Sequence, residues 1–186
     1  MELKEAILNR RTRRKFTNKK VEHHKLEELV EYARYAPTGQ NLQPLKYCIV
    51  DDEEMVKKIF PHTKWSGYHP EDAPTENEQP TAYIAILGDC SIKPSGEFGA
   101  DAGAAGTIIT LAAEDMGLAS CWIGSVNKEE VSGLLGLGSN LKLLYVIAIG
   151  YSNQLSKSVD ANGDIKYFMD NGVLTVPKRT RREILT

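Results

Sequence analysis

The chain has little of what a cross-linked or metal-built protein needs. Its three cysteines, Cys48, Cys90 and Cys121, are widely spaced and include no CxxC pair. That excludes a disulfide framework, a zinc ribbon and an iron–sulfur cluster, and it favours a reducing compartment. No run approaches the roughly eighteen apolar residues of a membrane span. The opening Met1-Glu2-Leu3-Lys4-Glu5 has no apolar leader core, so a cytoplasmic location is expected. GxSxG and HExxH are both absent. The four histidines, His23, His24, His62 and His69, have no cysteine or acid at triad or metal spacing, which ranks hydrolytic and zinc chemistry low. An overall excess of charge is missing too: the formal net charge is −2 and the pI about 6.1. A general nucleic-acid binder usually has a domain pI above about 9.

What is present is charge concentrated in two places. Eleven of the twenty-three Lys and Arg residues form two clusters that contain no acid. The first is Arg10, Arg11, Arg13, Arg14, Lys15, Lys19 and Lys20; the second is Lys178, Arg179, Arg181 and Arg182. The other twelve bases face twenty-five Asp and Glu. Like charge gathered this way needs an anion, nucleic acid or solvent around it. Thr12 places a hydroxyl among the guanidiniums, which suits a phosphate that needs both charge and directed donors. Arginine also dominates over lysine between residues 10 and 15, as it does wherever planar, bidentate oxygen recognition matters.

A chain of 186 residues fits one domain that buries roughly 70% of its unfolded surface. The apolar spacing predicts helices over residues 2–9 (Leu3, Ala6 and Ile7 on one stripe), 22–36 (stopped by Pro37), 53–60 and 99–116. Asn127 with Glu130 three residues on has capping-box spacing for a further helix. Strands are predicted at 45–50, 82–87, 120–123 and 143–149. Residues 61–80, with four prolines, make a long irregular stretch of the kind used as a lid. After Tyr151 there is little pattern until 173–176. Mixed elements without a steady βαβ rhythm point to an α+β fold. Gly99, Gly103 and Gly106 lie outside a GxGxxG turn and read as small residues that allow close helix packing, against another helix or a second subunit. In the loop Pro37–Pro44, Thr38, Gln40, Asn41 and Gln43 supply neutral donors and acceptors for the edge of a polar ring. Anion and heterocycle binders, with no acid, base or metal of the chain's own to do chemistry, suggest a cofactor that carries the chemistry itself.

Four segments then resemble the flavin-dependent nitroreductase family, in the family's order and across nearly the whole chain. Arg10-Arg11-Thr12-Arg13-Arg14-Lys15-Phe16 is similar to its RRS-x-R-x-F opening. Ala36 to Pro44 is similar to its AP-S/T-x-x-N-x-QP loop, with Leu45 where the family often has Trp. Ala113 to Gly124 resembles GLG-x-CWIG, and Pro177-Lys178-Arg179 resembles the terminal PKR.

The resemblance implies a single α+β domain over residues 1–186, with a central mixed or antiparallel sheet flanked by helices. Residues 61–80 would be a lid, and 151–186 an extension crossing to the partner of a homodimer. It implies FMN at the subunit interface. Arg10, Arg11 and Thr12 would lie at its phosphate and ribityl end, closed from the far end of the chain by Lys178 and Arg179. Arg14 would lie at the N1–C2 edge, and Ile123 and Gly124 near N5. Pro37, Thr38, Asn41 and Gln43 would reach the partner's flavin. NADH or NADPH would donate electrons in a ping-pong reaction, and a small-molecule acceptor such as a nitroaromatic or quinone would take them. Neither nucleic acid nor membrane is an expected partner. A dehalogenating or flavin-fragmenting enzyme of the same fold, a flavin-binding module without turnover and a nucleic-acid binder are the alternatives. Arg13, Lys15, Lys19, Lys20, Arg181 and Arg182 are left as surface charge.

Overall fold

The computed structural model describes all 186 residues. At its centre is an antiparallel sheet in the order β1-β2-β4-β3, built from β1 (Leu45–Val50), β2 (Ala82–Asp89), β3 (Ala119–Ile123) and β4 (Leu141–Gly150). Every residue of β2 is buried. Its alternating side chains feed two cores because both faces of the sheet are covered. Tyr83, Ala85 and Leu87 pack with α3 (Glu53–Ile59) and α5 (Lys128–Leu134). Ala82, Ile84 and Ile86 pack with α2 (His23–Ala33) and α4 (Gly99–Asp115). The α+β class and the antiparallel sheet are as expected.

Several boundaries move for local reasons. α2 stops at Ala33, short of the predicted 36. Pro37 disfavours helical geometry at the residue before it, and the last turn tightens: Tyr35 N–H donates to Tyr32 O and Ala36 N–H to Ala33 O. In α1 (Leu3–Asn9) only Ala6 of the predicted stripe is buried; Leu3 and Ile7 are exposed. Asn127 accepts from the Glu130 N–H, but its own N–H donates to His62 O, so the capping box is half formed. The small residues of α4 serve two partners. α2 packs on the helix, and Gly106 makes room for Trp122 of β3, whose ring atoms an added Cβ would meet at 2.3 Å.

The tail carries more structure than its sequence shows. β5 (Ser156–Asp160), β6 (Phe168–Asp170) and β7 (Val173–Lys178) form a second sheet in the order β5-β7-β6, and α6 (Arg181–Ile184) follows. β5 is a polar, mostly exposed strand and β6 has three residues, so neither presents a buried face for an alternating pattern to report. The start of this extension is fastened to the chain's own basic segment. Thr17 N–H donates to Tyr151 O (2.7 Å), Ser152 Oγ to Lys15 O (2.5 Å) and Arg14 N–H to Gln154 Oε1 (2.8 Å). Residues 61–80 are irregular, as expected, yet anchored. Thr63 bridges Val126, and Trp65 packs against Phe16 and Phe60 with ring centroids 6.4 and 5.9 Å away. No helix is long and apolar enough to cross a membrane.

Candidate functional site

The first basic cluster lies along the outer edge of β3. Thr12 pairs with Ser120 as a parallel bridge, and Arg13 N–H donates to Ser120 O (3.1 Å). Arg10 and Thr12 thereby face a cavity of about 220 Å³, with Thr107 and Thr110 from α4 and Ser120 and Trp122 from β3. Its lining holds four hydroxyls and one cation but no carboxylate.

The structure sorts the cluster by partner. Arg13 makes a bidentate pair with Glu114 of α4 at 2.7 and 3.1 Å, with both side chains largely withdrawn from solvent. Arg13 is therefore not the surface charge expected of it but the pin that holds the segment to α4. Lys15 pairs with Glu78 (3.3 Å) and Lys20 with Glu53 (3.6 Å). These contacts are more exposed and contribute little. Arg10, Arg11, Arg14, Lys178 and Arg179 have no carboxylate within salt-bridge distance.

Arg11 is the most constrained of these, at 8% exposure. Its Nη1 donates to Arg10 O (2.5 Å), and its Nη2 donates to Leu8 O (2.6 Å) and to Ser158 Oγ of β5. Its Nε is buried without a partner. Burial, and next the neighbouring Arg10 charge, lower its pKa. A buried cation bonded only to neutral oxygens is an unbalanced charge, and a nearby anion would stabilise it.

Ser158 also links the two clusters. It stands opposite Val176 in the β5–β7 register, and Lys178 lies two residues further along β7, roughly 7 Å at strand spacing. Arg179 lines a separate cleft with Asp164 and Glu183.

Arg14 sits further along the same edge, its guanidinium carbon 4.6 Å from the centre of the Tyr167 ring. It is close enough to the buried Cys121 to oppose the rise in that thiol's pKa, which burial pushes up to about 12. Ile123 is buried at the end of β3; Gly124 follows it, exposed, on a cleft of about 550 Å³ bordered by His62, Lys64 and Ser125. Tyr167 and Ser158 belong to this region and were not anticipated from the sequence. They stand in a polar extension where no motif or periodicity marks them.

The remaining predicted residues lie elsewhere. Pro37, Thr38, Asn41 and Gln43 precede β1, the opposite edge of the sheet, so three strand spacings, roughly 14 Å, separate that edge from β3. Thr38 and Gln43 line a groove of about 430 Å³ between α2 and β1, with Val30, Ala33, Leu45 and Tyr47. The loop is held in a costly shape. Gln40, Asn41 and Gln43 have φ of 54, 54 and 50°. Gln43 N–H donates to Thr38 Oγ1 (3.1 Å) and its side-chain amide to Asn41 O (3.2 Å). Left-handed conformations at non-glycine residues persist where surrounding structure enforces them, often at functional sites.

Fold and site together define an α+β domain with an acid-free pocket of hydroxyls and one arginine at one sheet edge. The chain belongs to the nitroreductase family, whose profile matches residues 7–84 and 93–151. It is 28% identical over 151 residues to an Archaeoglobus fulgidus protein provisionally named NADH dehydrogenase/NAD(P)H nitroreductase, covering 78% of this chain and 82% of that one. Among solved structures, an FMN-dependent nitroreductase from Clostridium difficile R20291 superposes with a TM-score of 0.69 at 26% identity, covering 82% of this chain and 88% of that one. A Clostridium acetobutylicum protein provisionally named NADH oxidase gives 0.66 at 31% identity, with coverage of 80% and 88%.

Proposed function

We propose that the chain is an FMN-dependent oxidoreductase that draws electrons from NADH or NADPH and passes them to a small-molecule acceptor of the quinone or nitroaromatic class. The observation that carries this is the sorting of the basic cluster. The cations that the family resemblance assigns to the cofactor have no carboxylate partner, a property they share with Lys19, Arg181 and Arg182, whereas Arg13, Lys15 and Lys20 are paired within the chain. The buried Arg11 with its orphaned Nε, and the acid-free cavity at Arg10 and Thr12, fit a phosphate monoester.

In this arrangement Arg10, Thr12 and Lys178 would hold the phosphate, and Arg11 would support it from behind while fastening β5. Arg179 is the weaker candidate, since its cleft already contains two acids. Arg14 would stand at the N1–C2 edge, where a fixed cation favours the reduced, anionic ring and raises its potential. The backbone of Ile123 and Gly124 would lie near N5, opening on the cleft where substrates can enter. Bound FMN would supply the two-electron chemistry itself.

The active form would be a homodimer, in which Pro37, Thr38, Asn41 and Gln43 reach the partner's cofactor. Two observations support this: their distance from the β3 edge of their own chain, and the exposure of Leu3, Ile7, Leu8, Tyr35 and Leu42.

Purified protein should carry flavin absorbance or take up added FMN, sediment as a dimer, and oxidise NADH or NADPH steadily when a quinone is supplied. A colourless protein that fails to bind FMN would contradict the proposal. Flavin binding without turnover would instead make it a storage or sensing module.

A further inference from the structure

Tyr167 ties together three parts of the molecule that are far apart in sequence. Its ring lies under the Arg14 guanidinium, with the guanidinium carbon 4.6 Å from the ring centre. Its hydroxyl accepts a hydrogen bond from the Tyr68 backbone N–H (3.3 Å), and its carbonyl accepts one from His69 Nε2 (3.0 Å). The Tyr68 and His69 rings pack beside it, with centroids 5.2 and 5.8 Å away. Tyr68 and His69 belong to the irregular stretch 61–80, Tyr167 to the extension, and Arg14 to the basic segment.

The way Arg14 is held has chemical consequences. A carboxylate would fix a guanidinium equally well but would cancel its charge, as Glu114 does for Arg13. An aromatic face attracts the cation through its quadrupole and leaves the charge uncompensated. The donors at the rim of the guanidinium also stay free, because a ring face takes none of them in a conventional hydrogen bond. The backbone N–H of Arg14 is fixed separately on Gln154 (2.8 Å), so the main chain is anchored and the ring controls only the side chain. Tyr167 is in turn held by the lid through its hydroxyl and its carbonyl.

We propose, on the basis of the FMN site inferred above, that Tyr167 is a positioning residue that presents Arg14 to the cofactor's N1–C2 edge and couples that presentation to the seating of the 66–72 segment. The extension then does more than supply Lys178 and Arg179. It sets the cation that tunes the reduced cofactor, and the lid can loosen or tighten that setting.

The test uses wild type, Tyr167→Phe and Tyr167→Leu, each with FMN affinity, the midpoint potential of the bound cofactor and amide exchange at Tyr68. Tyr167→Phe keeps the ring face and removes the hydroxyl. It should make Tyr68 exchange faster and lower the potential by a fraction of the fall expected for Tyr167→Leu. Tyr167→Leu removes the face. It should lose about tenfold in preference for reduced over oxidised flavin, a fall of about 30 mV for a two-electron couple, with Tyr68 exchange accelerated as well.

A Tyr167→Leu protein that binds FMN at the wild-type potential would overturn the positioning role and leave the FMN site standing. Unchanged Tyr68 exchange in Tyr167→Phe, or faster exchange at the wild-type potential, would overturn the coupling to the lid; the exchange is readable without cofactor. A wild-type protein that binds no FMN would overturn the site itself, and the positioning role with it.

Discussion

The two edges of the central sheet are built on opposite plans. At β3 the chain closes its own edge: the basic segment pairs with Ser120, Arg13 is pinned to Glu114, and the extension is laid across the segment through Tyr151, Ser152 and Gln154. At β1 no further strand or bridge pairs with the outer edge. The loop before it is strained at three non-glycine residues and borders an open groove lined by Val30, Leu45 and Tyr47. One edge is closed by the chain itself. The other is strained and has exposed apolar side chains, Tyr35 and Leu42, beside it. Under the homodimer proposed above, the site would be divided between two edges of one sheet, with its completion left to a second copy.

The contrast can be tested by changing one edge at a time. The largest effect on stability is expected from Arg13→Ala. It leaves Glu114, whose side chain is 11% exposed, without its bidentate partner. A cost of about 2–4 kcal/mol, read as a lower urea midpoint, follows from breaking a largely buried pair. A loss below about 0.5 kcal/mol would mean that the β3 edge is held by the backbone alone.

A smaller effect of opposite sign is expected at the β1 edge. Gln40 is exposed at φ 54°, a conformation glycine adopts freely. Gln40→Gly should stabilise the protein by up to about 1 kcal/mol, a rise in Tm of roughly 2–4 °C for a chain of this size. An unchanged or lower Tm would show that the loop is not under strain.

The smallest effect concerns the joint between α2 and the extension. Glu22 is held at about 2, first by its own backbone N–H, then by the Tyr151 hydroxyl (2.8 Å) and Lys25 (3.2 Å). A depressed carboxylate contributes stability that is complete above its unfolded value near 4.5 and is lost as the pH falls from there towards 2. Glu22→Gln should flatten the acid side of the stability profile between those values and leave the profile above pH 5 nearly parallel to wild type. An equal change at pH 7 and pH 3 would assign the residue a role independent of its charge.

Legibility in the sequence followed how much each element is buried. β1 begins and ends at the predicted residues, and β2 and α4 lie close to theirs, because their side chains face cores on one or both sides. β5 shows no pattern because its residues are mostly exposed and its pairing is non-local, with Ser156 opposite Leu174. β6 is three residues long, and its hairpin with β7 is marked only by the Asn171-Gly172 turn, which periodicity does not read.

The candidate site divides the same way. Arg10, Thr12 and Arg14 stood out as a local cluster, and the structure does bring them to one edge. No local signal separated Arg13 from them, because what distinguishes it is Glu114, a hundred residues away on another element. Tyr167 carried no pattern at all. Its role exists only once the lid, the extension and the basic segment have been assembled.

The central claim is that the cations without acid partners at the β3 edge hold the cofactor, while the partnered ones hold the fold. Titration of FMN into apoprotein, followed by quenching of flavin fluorescence, tests it directly when Arg10→Ala and Arg13→Ala are compared under conditions where both remain folded. Removing one charge-assisted contact to a phosphate is worth about 1.5–3 kcal/mol. The expected result is therefore a rise in Kd of tenfold or more for Arg10→Ala, with Arg13→Ala within about threefold of wild type. Equal weakening by the two variants, or an Arg10→Ala protein that binds FMN as tightly as wild type, would contradict it.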